Sequence, residues 1–117
     1  MQELSLPHIA PIRFADKILF KEETTARVSL TFDSLPNLGM MIEAAAQSSA
    51  AFSDGTKKGG FLVSLKNIKL LQKPTKLELE VSLSNEHTLQ DMSYFSFLIY
   101  EGSVELVSGS FVIVKNT

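Results

Sequence analysis

The chain has 117 residues, 44% of them hydrophobic and 21% charged, with a formal net charge of -2. This length fits one domain over 1–117 with a modest core. Its 11 basic and 13 acidic side chains give no nucleic-acid footprint, and the sequence contains no apolar run long enough to span a membrane. The absence of cysteine excludes disulfides, thiolate metal sites and a Cys nucleophile, and two histidines, His8 and His87, leave little for zinc.

Met1 to Phe14 lacks a basic segment followed by an apolar one, so no secretory signal is expected and the expected address is the cytoplasm. Leu6-Pro7-His8-Ile9-Ala10-Pro11 carries two prolines and reads as an extended lead-in or short turn. Ala15 to Glu22 reads as a strand centred on Ile18, Leu19 and Phe20. Thr25 to Phe32 alternates, with Ala26, Val28, Leu30 and Phe32 on one face and Arg27, Ser29 and Thr31 on the other, the signature of a half-buried strand.

Asn37 to Phe52 differs. It has no proline, is rich in Ala and Met, and predicts one helix. Asp33, Ser34 and Asn37 are each able to cap its start, Pro36 is tolerated near a first turn, and Asp54-Gly55 ends it. After Gly59-Gly60 the reading returns to strands. Phe61 to Leu71 is long, and Lys76 to Leu83 alternates with Leu77, Leu79, Val81 and Leu83 inward. Ser84-Asn85-Glu86-His87 reads as a solvated polar turn. Met92 to Tyr100 and Val104 to Val114 follow, joined at Glu101-Gly102-Ser103. Two strands, a helix and four strands imply an α+β arrangement, with the helix covering one face of an antiparallel sheet.

The helix carries most of the functional information. Between Asp33 and Asp54 its only charged residue is Glu43. A helix without a charged face is expected to be buried on most sides, and its many alanines and serines allow a curved sheet to wrap closely around it. A carboxylate buried there pays a desolvation cost, and such a group suits general acid or base work. Gln47, four residues on, shares its face and is placed to hold the carboxylate or a substrate carbonyl. Near Asn37, Leu38 and Gly39 the helix offers backbone N–H groups and positive dipole character, which suit a developing oxyanion. A structural reading of Glu43 stands beside this one, as the partner of Arg13, Arg27 or a lysine, or as part of a dimer interface. Met40 and Met41 read as core filler. Gly55-Thr56-Lys57-Lys58-Gly59-Gly60 lacks the spacing of a nucleotide loop and reads as a solvated connection.

Three segments carry a family resemblance. Leu6-Pro7-His8-Ile9-Ala10-Pro11 followed by Asp16-Lys17-Ile18-Leu19, then Leu35-Pro36 with Ile42-Glu43-Ala44-Ala45-Ala46-Gln47, then Gly60-Phe61-Leu62-Val63 through Leu70, are similar to the FabZ-type 3-hydroxyacyl-ACP dehydratases and their shorter relatives in aryl-polyene clusters. The resemblance implies a hot-dog fold, a curved antiparallel sheet around one long central helix. It also implies a catalytic role for Glu43. The family's second catalytic residue is the histidine of a G-H-F-P motif upstream of the helix, where this chain reads Thr31-Phe32-Asp33-Ser34-Leu35-Pro36 and has no histidine. Dehydration needs a proton removed from Cα and a hydroxyl protonated as it leaves. A single carboxylate suffices to activate water against a thioester.

Hydrolysis of acyl-CoA or acyl-ACP is therefore the leading expectation, with Glu43 as base, backbone groups near Gly39 holding the carbonyl, and no metal or other cofactor. A 3-hydroxyacyl-ACP dehydratase-like reaction and a non-catalytic acyl-binding protein are the alternatives. The long edge strand and the resemblance imply a homodimer or a dimer of dimers.

Overall fold

The computed structural model describes residues 2–3, 13–52 and 60–115. The strands are β1 (Gln2–Glu3), β2 (Ala15–Lys21), β3 (Thr25–Thr31), β4 (Gly60–Leu70), β5 (Glu78–Leu89), β6 (Met92–Glu101) and β7 (Val104–Lys115). Helix α1 (Leu38–Ser48) stands between β3 and β4 and tightens into a 3₁₀ turn, Ser49–Phe52. The seven strands form one sheet in the order β1-β2-β3-β5-β6-β7-β4. Every neighbouring pair is antiparallel. The expected α+β layout holds, with the two-residue β1 added at one edge. The lead-in Leu6 to Pro11, the helix stop at Asp54-Gly55 and the loop through Gly59 lie outside the described residues.

Alternation builds the core. Ala26, Val28 and Leu30 of β3, Leu79, Val81 and Leu83 of β5, and Phe95, Phe97 and Ile99 of β6 are all buried. They meet Met41, Ala44 and Ala45 of α1, where methyl-sized side chains let the sheet come close to the helix. Phe111 of β7 anchors one end, its ring centroid 5.2 Å from Phe95 and 5.7 Å from Phe97. Phe52 lies 5.5 Å from Phe95 and ties the 3₁₀ turn to the sheet.

Three expectations are corrected. The helix is not buried on most sides: Met41, Ala44, Ala45, Gln47 and Ser48 are buried, whereas Gly39 is exposed and Met40, Ile42, Glu43 and Ala46 are half-buried. Leu77 is 42% exposed instead of inward. The β3–β5 register ends at Thr31↔Glu78, and Leu77 lies beyond it, offering only its carbonyl to the Phe32 N–H at 3.0 Å. Ser84 to His87 is strand and not turn. β5 continues to Leu89, with Asn85 opposite Phe95 and His87 opposite Tyr94 around a bulge. Cross-strand pairing outweighs the local polarity there, and the His87 ring stacks on Tyr94 at 4.1 Å. The reversal comes at Gln90 and Asp91, with Gln90 at φ 58.

The β6–β7 hairpin turns at Gly102, whose φ of 60 is left-handed and suits glycine. Beside it the Glu101 carboxylate accepts from the Thr75 N–H at 2.8 Å, the Thr75 hydroxyl at 2.7 Å and the Lys76 N–H at 2.9 Å. These bonds, those of Thr75 foremost, hold the Glu101 carboxyl below its ordinary value. They pin the loop between β4 and β5 against the hairpin.

Candidate active site

The site is built on the first turns of α1. Asn37 is the N-cap: its backbone is extended (φ -88, ψ 177), and its Oδ1 accepts from the Met40 N–H at 2.8 Å. Its carbonyl accepts the Met41 N–H at 3.1 Å. The N–H groups of Leu38 and Gly39 therefore begin the helix with no acceptor inside it, at the positive end of the dipole. Gly39 is exposed, and a Cβ there would meet only Asn37 Oδ1, at 3.5 Å. That is ordinary contact, so the folded chain itself does not require glycine at this position.

Gly39, Glu43 and Gln47 are spaced by four and form one stripe along the helix. The stripe deepens along its length: Gly39 is exposed, Glu43 half-buried and Gln47 buried. Gln47 Oε1 accepts from the backbone N–H groups of Phe14 at 2.8 Å and Ala15 at 3.1 Å. Two N–H donors on one atom identify it as the oxygen, so the amide nitrogen must face the other way. It points to Glu43, donating to Oε1 at 3.5 Å, a long contact that orients more than it binds. The helix stripe is thus stitched to the start of β2. No pattern of residue types reveals the Phe14 and Ala15 partners, because the groups involved are main-chain amides.

Asn37, Leu38, Gly39, Glu43 and Gln47 thus lie on one helix and its N-cap, within about three turns. Of the basic residues read as possible partners for Glu43, Arg27 faces away. It is exposed on β3 between the inward Ala26 and Val28, beside the Tyr100 hydroxyl. Burial first, and then Glu80, push that hydroxyl above its ordinary pKa. Arg13 donates to the Ala15 carbonyl at 3.0 Å and lies just before β2, next to the amides that hold Gln47. His87 stacks on Tyr94 in the β5–β6 hairpin and is not part of the α1 stripe. Among the described residues no cluster of three or more His, Asp or Glu side chains is set to hold a metal ion. No helix among them is long and apolar enough to cross a membrane.

No protein-family model and no curated protein matches the chain. Solved structures do. The dehydratase heterocomplex ApeI:P from Xenorhabdus doucetiae superposes with a TM-score of 0.80 at 16% identity, over 97% of this chain and 89% of that one. A sigma28-regulated virulence protein from Campylobacter jejuni, Cj0977, gives 0.75 at 11% identity over 98% and 93%. A hypothetical thioesterase from Streptococcus pneumoniae TIGR4, solved with coenzyme A, gives 0.67 at 11% identity over 86% and 84%. Identities this low speak for architecture alone, and these three descriptions already differ in function. With its antiparallel sheet curved around one helix, this chain has the hot-dog fold.

Proposed function

We propose that this protein processes acyl thioesters in the cytoplasm and hydrolyses them, taking acyl-CoA or acyl-ACP as substrate. The observation that carries this reading is the α1 stripe. A half-buried carboxylate, Glu43, is oriented by a Gln47 that is itself fixed to backbone amides, and it lies one turn from helix-end donors at Leu38 and Gly39. Four residues of helix span about 6 Å, room for a thioester carbonyl at the helix end with a water between it and Glu43.

In the proposed reaction Glu43 accepts a proton from that water as its oxygen attacks the carbonyl carbon. The N–H groups of Leu38 and Gly39 stabilise the oxyanion, with the Asn37 side chain holding the helix end in place. Collapse of the tetrahedral intermediate breaks the C–S bond, and the proton on Glu43 passes to the leaving thiolate. The products are a free acid and a thiol. The presence of coenzyme A in a thioesterase of this fold supports the substrate class.

Gly39→Val tests the carbonyl's position. The added methyls meet little protein, so the variant should fold, yet they crowd the helix-end donors. We expect kcat to fall by about tenfold, or about 1.4 kcal/mol of barrier, with the unfolding midpoint nearly unchanged. Unchanged kinetics in the folded variant would move the acyl site away from this helix end.

A dehydratase-like reaction is the second reading, favoured by the match to a dehydratase heterocomplex over nearly the whole chain. It requires a second proton-transfer group to replace the histidine that this chain lacks in Thr31 to Pro36, just before α1.

Assembly follows from β4. It is the last strand of the sheet, eleven residues long, and an open edge of that length invites pairing. Leu62, Leu65 and Leu70, on its helix-side row, are 37%, 45% and 46% exposed. A second copy along this edge would cover both edge and leucines and place the acyl site between subunits. Light scattering is expected to give at least twice the chain mass of 12.9 kDa. A monomer at micromolar concentration would contradict the dimer and the shared site with it.

A further inference from the structure

The loop between β4 and β5, residues 71–77, is held by polar bonds more than by burial. Leu71 and Leu77 are 47% and 42% exposed, so apolar contact does little to fix either. At the start of the loop the Leu71 and Gln72 N–H groups donate to the Leu106 carbonyl at 2.7 and 3.3 Å. Near its end the Glu101 carboxylate gathers the Thr75 N–H, the Thr75 hydroxyl and the Lys76 N–H. One side chain at the end of β6 therefore sets where the peptide after Lys76 lies.

That peptide leads to the helix. The Leu77 carbonyl accepts the Phe32 N–H at 3.0 Å. Phe32 is buried, and the main-chain donor of a buried residue needs a partner. The Phe32 ring stacks on Phe14, their centroids 5.0 Å apart, and the Thr31 N–H donates to the Phe14 carbonyl at 2.9 Å. The Phe14 N–H in turn donates to Gln47 Oε1 at 2.8 Å, and Gln47 Nε2 faces Glu43 Oε1 at 3.5 Å. Glu101 and Glu43 are thus the two ends of one unbroken series of contacts.

The two ends of the series are its soft points. The Gln47–Glu43 contact is long, so a small displacement of Gln47 changes where the carboxylate points. Among the described residues Glu101 is the side-chain anchor of the loop end. The middle, around the Phe14 and Phe32 rings, is packed, and packed side chains transmit a displacement instead of absorbing it.

Resting on the acyl-thioester reading, we infer that Glu101 is a positioning residue for Glu43: by fixing Thr75 to Leu77 it holds Phe32 and Phe14, and through them the Gln47 amide that aims the Glu43 carboxylate. Misplacing a reacting group by about 1 Å costs up to about 10² in rate. A remote anchor of this kind acts on kcat and leaves substrate binding alone.

The test uses Glu101→Ala and the milder Thr75→Val, which removes one of the three donors, beside Gly109→Val, which perturbs packing elsewhere. Backbone amide signals and hydrogen exchange of Phe14 and Ala15, with the side-chain NH2 signals of Gln47, report on the series without any substrate. They are expected to change in Glu101→Ala, to change less and in the same direction in Thr75→Val, and to hold in Gly109→Val. On a thioester that the chain hydrolyses, kcat should fall by about tenfold in Glu101→Ala with KM unchanged. Adding Glu101→Ala to Glu43→Gln should cost nothing further, since both act on one group. Unchanged Phe14, Ala15 and Gln47 signals in folded Glu101→Ala would overturn the inference, as would equal changes in Gly109→Val, an unchanged kcat, or an additive loss in the double variant. If Glu101→Ala does not fold, Thr75→Val decides by the same signals and the same kcat. If the chain hydrolyses no thioester, the hydrolysis reading fails, and the amide signals alone decide whether Glu101 is coupled to Gln47.

Discussion

Glu43→Gln is expected to lower kcat on acyl thioesters by about 10²- to 10⁴-fold, the range typical of a positioned general base. That corresponds to about 3–5 kcal/mol of barrier. The amide keeps the shape of the carboxylate and its neighbour on the helix, but it accepts no proton from water. Because Gln47 remains bonded to the Phe14 and Ala15 amides, α1 should keep its seat on β2 and the chain should stay folded. KM should change little, since the reading assigns Glu43 to the water and not to the acyl group. Two results would redirect it. Full activity in the variant would make Glu43 structural. A loss of several kcal/mol in stability would reveal an ion pair whose remaining charge has been stranded.

Gly109→Val is expected to cost about 1–3 kcal/mol of stability, as overpacking of a filled core does. A Cβ at Gly109 would stand 2.4 Å from Ile68 Cδ1 and 3.1 Å from the Phe97 ring. Ile68 reaches across Gly109 from the β4 bulge, so the added side chain evicts it and disturbs the aromatic packing of Phe95, Phe97 and Phe111. Urea unfolding should show a lower midpoint at unchanged slope. Ile68→Ala in the Gly109→Val background should restore part of the loss, a coupling expected of side chains that compete for one space. Additive effects would mean that Ile68 packs elsewhere. The same bulge brings Lys66 and Lys69 onto one face of β4.

Much of the fold was legible where one residue carries one strong local preference. The helix was read over Asn37 to Phe52 with Asp33, Ser34 or Asn37 as its cap; the cap is Asn37, α1 runs Leu38–Ser48, and the rest is the 3₁₀ turn. The alternation of Ala26, Val28 and Leu30 identified the buried face of β3. The extension of β5 through His87 was hidden, because its polar residues are held by pairing with β6, a contact distant in sequence. The strand order was equally hidden, since alternation reveals faces and not neighbours. Within the candidate site, the four-residue spacing of Gly39, Glu43 and Gln47 could be read directly. The anchoring of Gln47 could not, because its partners are main-chain N–H groups that every residue type but proline supplies. The co-facial lysines were hidden for a third reason. A single left-handed Asn67 shifts the alternation, and that conformation is uncommon for any residue but glycine, although asparagine is enriched in it.

The central claim is that Glu43 directs water onto an acyl carbonyl, and incubation of a 3-hydroxyacyl thioester with the chain in ¹⁸O-labelled water tests it most directly by mass spectrometry of the products. Hydrolysis predicts a free 3-hydroxy acid carrying one heavy oxygen in its carboxylate, together with free thiol, and both formed far more slowly with Glu43→Gln. An unsaturated thioester with its C–S bond intact would contradict the account and establish dehydration instead.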